Sequence, residues 1–153
     1  MSDDSGAARK GRVPVWYWVI AVLALLWNLG GVAAFVGQMV DLEASVQSLP
    51  EENRQAILDL LKSAPAWTTV AFAVAVFGGV LGSIGLLARQ KWALLMFVLS
   101  AVAVLIQHGY AFLMTEMLSL LRSTDLILPI LVVVLDVALV AFSWLANKRG
   151  WLS

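Results

Sequence analysis

Three features of the sequence predict an all-α membrane protein, a four-transmembrane-helix bundle with a short amphipathic helix between its first and second spans. Hydrophobic residues make up 61% of the 153 and charged residues 13%. Soluble domains are typically about 45–50% apolar and about 25% charged. The apolar residues fall in four runs of about 20 residues, each long enough as a helix to cross the roughly 30 Å hydrocarbon core of a bilayer. The second run is seeded with small residues at helical spacing, the pattern by which helices pack closely in lipid.

Residues 1–13 are polar and lack periodicity, so they are expected to form a disordered cytoplasmic tail. Arg9, Lys10 and Arg12 precede the first apolar run. That run is far longer than the roughly 7–15 residue apolar core of a secretory signal. It is therefore expected to stay as a first span over residues 15–38, with Trp16, Tyr17 and Trp18 in the headgroup belt. Gly30, Ala33, Ala34 and Gly37 give it a small-residue face. Ser48 and Glu51 have the spacing of a capping box. They open a short helix on which Ala56, Ile57, Leu60 and Leu61 share one face, with Glu52, Arg54, Asp59 and Lys62 around the rest. It is too short to span, so it is expected to lie on the periplasmic surface or over the bundle mouth.

The second span, residues 66–88, is expected to be the central packing helix. Ala71, Ala75, Gly79 and Ser83 recur every four residues, Gly78 and Gly82 form a second pair one step round the helix, and Gly85 follows. A basic turn, Arg89-Gln90-Lys91, leads to a third span over 92–114, and a loop carrying Glu116 and Arg122 leads to a fourth over 125–146. The membrane domain thus covers 14–149, and residues 150–153 form a cytoplasmic end. Arg9, Lys10, Arg12, Arg89, Lys91, Lys148 and Arg149 collect on one side, seven of the ten Lys and Arg, leaving Arg54, Lys62 and Arg122 on the other. The positive-inside rule then places both termini in the cytoplasm of a bacterial cytoplasmic membrane.

Polar residues within the spans are the candidate site. A charged Asp at a helix centre costs about 2.5–3.5 kcal/mol to insert, so intramembrane ionisable groups face the bundle interior and often mark solute or ion paths. Asp136 and Asn28 lie near the middle of their spans, and Gln107 and His108 somewhat outside it. At about 1.5 Å per residue, Asp136, Asn28 and Gln107 fall within roughly 8 Å of depth. On one reading Asp136 is a protonatable carboxylate with Asn28, Gln107 and His108 as relay or substrate contacts. On the other it is protonated glue, hydrogen-bonded to Asn28 or Gln107, at about 0.6 kcal/mol per contact. Gly78, Gly79, Gly82, Ser83 and Gly85 are expected to be packing residues.

The sequence holds no cysteine and one histidine. Disulfides and thiolate chemistry are excluded, a structural zinc site is improbable, and no metal or other cofactor is expected. Phosphate-binding, hydrolase and metalloprotease motifs are absent, so no enzymatic activity is expected. A net charge of zero gives no argument for nucleic acid. The expected partners are the lipid bilayer and, within it, a second copy or another membrane protein.

The pattern Leu25-Leu26-Trp27-Asn28-Leu29-Gly30-Gly31, the segment from Pro65-Ala66-Trp67 through Phe77-Gly78-Gly79-Val80-Leu81-Gly82 to Leu86-Leu87-Ala88-Arg89, then Lys91-Trp92-Ala93, Phe97-Val98-Leu99-Ser100 and Arg149-Gly150-Trp151 together resemble a family of small four-helix bacterial inner-membrane proteins. Members often carry the label "sugar transporter". The resemblance implies the same topology and, through that label, a role in small-solute transport or as a transporter subunit. The alternative is a non-transporting accessory or assembly protein, a four-helix bundle of the DoxX-like kind.

Overall fold

The computed structural model describes residues 12–153; the expected tail lies outside the described residues except for its last two positions. Seven helices follow in order: α1 (Val15–Val40), α2 (Leu42–Ser45), α3 (Glu51–Ser63), α4 (Ala66–Leu87), α5 (Trp92–Leu113), α6 (Met117–Leu120) and α7 (Ile127–Lys148). α1, α4, α5 and α7 are long and apolar enough to cross a membrane. Their outer faces present side chains such as Leu23, Val70, Leu95 and Ile130, each more than half exposed. So continuous an apolar surface is stable against lipid and not against water. The protein is a small multi-pass integral membrane protein built as an all-α bundle.

α4 and α5 form its centre. In their apolar windows 39% and 33% of residues are buried, against 17% in both α1 and α7. α4 packs on α1 and α5, and α5 packs on α7, giving the spatial order α1–α4–α5–α7. The glycines of α4 allow this by serving two neighbours. A Cβ at Gly79 would collide with the Asn28 side chain of α1, one at Gly82 would lie 2.9 Å from the Phe97 ring, and one at Gly85 2.9 Å from Cβ of Ala93. Ser83 is fully buried between them.

The connections form a small second layer at the end of the bundle away from the termini. Val46, Ile57 and Leu58 are its core, with Leu61, Met117, Leu120 and Leu121 packed against them. The Nδ2 of Asn53 donates to the Leu120 carbonyl (2.9 Å), and Arg54 donates to the carbonyls of Gln47 (2.9 Å) and Leu49 (3.1 Å). Two details differ from expectation. Pro50, not Ser48, is the N-cap of α3, and no side chain caps its first turn. The inward face is Ile57, Leu58 and Leu61, while Ala56 is exposed. The helix is turned because it packs on α6 and the turn before it, a partner the periodicity of α3 alone does not reveal.

At the opposite end two helix termini lock together. α4 closes in a Schellman motif, with Gln90 N donating to the Gly85 carbonyl and Arg89 N to that of Leu86 (2.8 and 2.9 Å). Arg89 takes the left-handed position, φ 57°. α7 closes the same way through Gly150, φ 69°, with Trp151 N bonded to the Ala146 carbonyl and Gly150 N to that of Asn147. The two tails then pair: Ser153 N donates to the Arg89 carbonyl (2.6 Å), Lys91 N to that of Ser153 (3.3 Å), and Arg89 Nε to that of Trp151 (2.7 Å). Residues 150–153, read from sequence as a simple end, are part of the packed core, with Trp151 and Leu152 buried.

Candidate functional site: a cavity lined by four helices

Burial along α1 and α7 divides the bundle into two halves. In α1 the buried residues are Tyr17, Ala21, Ala24 and Asn28, and no later residue of the helix joins them. In α7 they are Asp136, Leu139, Ser143 and Ala146, and none precedes Asp136. Below this level the helices are closed by packing. Tyr17 donates a buried 2.6 Å hydrogen bond to the Leu86 carbonyl, and Trp16, Tyr17, Phe142 and Trp151 stack edge to face or tilted at 5.3–5.9 Å. Above it α1 and α7 part.

The space they leave is a cavity of about 500 Å³, within the range of small-molecule sites. All four spans contribute: Trp27, Asn28, Ala34 and Gln38 from α1, Phe72 and Ala75 from α4, Ser100, Gln107 and His108 from α5, and Val132 and Asp136 from α7. The four polar residues singled out in the sequence therefore all line one cavity. Asp136 and Asn28 lie at its floor, 5% and 6% exposed, where the packed half begins. Gln107 and His108 stand about two helical turns higher on α5, since Ser100 is the α5 residue at the level of Asp136.

Their hydrogen bonds join helices, but not through the partners expected for Asp136. Asp136 meets Ser100, at 3.5 Å, and neither Asn28 nor Gln107. Asn28 Nδ2 donates to the Ala24 carbonyl (2.8 Å) and to Ser83 Oγ (3.3 Å), and Ser83 Oγ in turn donates to Gly79 (2.8 Å). The reason is lateral separation: Asn28 is held against α4 by the Gly79 notch, while Asp136 belongs to the α5–α7 side. Ser100 donates a 2.7 Å bond to the Ala75 carbonyl, which ties α5 to α4. His108 Nδ1 donates to its own helix at the Val104 carbonyl (3.0 Å).

Sequence reasoning missed Ser100 and Gln38, and read Ser83 as a packing residue without its hydrogen bond to Asn28. Serines are common in apolar spans as helix-packing residues, so nothing in its type marked Ser100. Gln38 closes the apolar run and read as its boundary. A usable signal existed in α7, where Asp136, Leu139, Ser143 and Ala146 trace one inward stripe and place Asp136 on the buried face.

A smaller space of about 80 Å³ lies between the connection layer and the bundle, lined among others by Leu61, Thr68, Tyr110 and Met117. Gln38, Phe72 and Gln107 line both spaces. They form the boundary between the main cavity and the α3–α6 layer. Among the described residues no group of three or more His, Asp or Glu side chains is arranged to hold a metal ion. Compared with protein-family models, curated proteins and solved structures, the chain matches none of them.

Proposed function

We propose that this protein binds a small solute in the four-helix cavity, as a step in moving it across the bilayer or delivering it to a transporter of which it is a subunit. The observation that carries the reading is the cavity itself: about 500 Å³, walled by all four spans, with Asp136 buried at its floor. Polar side chains are costly at that depth and are retained chiefly where they serve a path or a ligand. The positive-inside distribution supports a cytoplasmic location for the closed half and an opening of the cavity toward the outer side, beneath α3 and α6. The reading is of a binding site and not a catalytic one, with lipid and a second copy or another membrane protein as its partners. A full transport path from so few spans is proposed to need that second chain.

The test is a thermal-shift screen of small polar and amphipathic solutes against the purified protein and a Val132→Trp variant that fills the cavity. A true ligand at about 100 times its Kd stabilises by about 2.7 kcal/mol, and that shift disappears in the variant. Solutes that pass are then assayed for uptake into proteoliposomes. Uptake supports transport, whereas binding without uptake supports the accessory role. Shifts equal in both proteins would remove the cavity from the function.

A further inference from the structure

Resting on that reading of the cavity, we infer that its ligand is a monovalent organic cation with an apolar or aromatic body, such as a protonated amine, seated with its charge against Asp136. The inference comes from how donors and acceptors around the cavity are already committed. Asn28 spends both amide hydrogens on Ala24 and Ser83. Ser100 has one hydroxyl hydrogen, which goes to the Ala75 carbonyl at 2.7 Å and leaves only a 3.5 Å approach to Asp136. His108 uses its Nδ1 hydrogen on Val104, so its Nε2 is an acceptor in the neutral ring. At the floor of the cavity the donors are consumed internally and an acceptor, the Asp136 carboxyl, is left nearly unpartnered while 5% exposed.

Among the described residues no positive charge compensates that group. Among the described residues the ion pairs are Lys62–Glu43 and Arg122–Asp125, both in the connection layer, and no Lys or Arg lines the cavity. A buried carboxylate without a counter-charge is costly and without a ligand is relieved by a proton; a cationic ligand supplies the partner that lets it be ionised. The remaining wall suits the rest of such a molecule. Trp27 and Phe72 are aromatic members of the lining, of the kind that attracts a cation or stacks on a ring, and Val132 and Ala34 are apolar. An anion would face Asp136 at the floor, with side-chain donors left to it only from Trp27, Gln38 and Gln107 on the wall. A sugar-like polyol would need many donors and acceptors where the wall, above Asp136, offers mainly the amides of Gln38 and Gln107.

One carbon skeleton with three head groups tests this: 4-phenylbutylamine, 4-phenylbutanol and 4-phenylbutyrate, titrated calorimetrically into protein in nanodiscs of zwitterionic lipid, with empty nanodiscs subtracted. The amine is expected to bind at least about tenfold more tightly than the alcohol, with the carboxylate weakest. Asp136→Asn is expected to bring amine and alcohol to within about twofold. The order in the unaltered protein is decisive by itself, so a variant that fails to fold does not leave the question open. Alcohol or carboxylate binding as tightly as the amine, an amine preference that survives Asp136→Asn, or saturable binding by none of the three would overturn the inference. Whichever probe binds, its loss in Val132→Trp shows that the cavity reading stands even where the cation inference has fallen. Binding indifferent to Val132→Trp would bring down both.

Discussion

The two halves of the bundle use the same four helices to opposite ends. In the half bearing the termini, glycines on α4 admit Phe97 and Ala93, Tyr17 ties α1 to α4, and the last three residues are stitched to the Arg89 turn. In the other half α1 and α7 carry no buried residue at all; of the glycines there, Gly30, Gly37 and Gly109 would have no neighbour within 4 Å of an added Cβ, and only Gly31 would meet one, the Val76 side chain at 3.2 Å. Small residues therefore mean different things by position. Where a neighbouring helix approaches they are packing contacts, and where none does they leave room. The level of Asn28 and Asp136 is the border between the two.

The largest expected effect comes from overfilling the closed half. Gly82→Leu drives a side chain into the Phe97 ring and is expected to cost about 3 kcal/mol or more, seen as loss of monodisperse protein on size exclusion in mild detergent. Gly37→Ala and Gly109→Ala, in the open half, are expected to be neutral or to stabilise by up to about 1 kcal/mol through helix propensity. Equal damage from both kinds of substitution would erase the distinction between halves.

Next in size is the terminal lock. Trp151→Ala removes a buried ring that contacts Trp16 and Tyr17, and is expected to cost about 3 kcal/mol, the lower end for a buried Trp. Tyr17→Phe deletes one buried hydrogen bond to Leu86 and is expected to cost about 1 kcal/mol. Both are read as a fall in Tm in detergent. Gly150→Ala, at φ 69°, is expected to cost about 1 kcal/mol by forcing a side chain into the left-handed region.

The smallest effect belongs to the connection layer. Arg122 donates to Asp125 (3.1 Å) and holds its carboxyl below the ordinary aspartate value. The sign follows: this contribution is present above that ordinary value and is lost as pH falls through the lowered one. The pair is solvent-exposed, so Arg122→Ala is expected to shift Tm only slightly at neutral pH, with the difference from wild type vanishing in acid.

What could be read from the sequence follows from what sequence patterns encode. Span number and length were legible because hydrocarbon thickness imposes them residue by residue. The central place of α4 was legible because Ala75, Gly79 and Ser83 recur at helical spacing. The cavity was legible only as polar residues in the middle and outer part of three spans, and a depth count set Gln107 closer to the level of Asp136 than the two turns the structure shows. That Asp136 would meet Ser100 and not Asn28 depends on the order α1–α4–α5–α7 round the bundle, and a depth count carries no information on lateral order. The C-terminal lock was hidden for a related reason. Arg89 in a left-handed cap gives no signal of the kind glycine gives, and Ser153 pairs with Arg89 across 64 residues and two spans.

Because the protein has no cysteine of its own, introduced thiols report on single positions. The most direct measurement compares the reaction rates of Val132→Cys, on the cavity wall, and Ser143→Cys, two turns below Asp136 in the closed half, with a small water-soluble maleimide applied to folded protein in nanodiscs. An open half above a sealed one gives labelling of Val132→Cys at least about tenfold faster than of Ser143→Cys, since access limits a thiol of ordinary reactivity. Equal rates at the two positions, or no labelling of Val132→Cys, would contradict it.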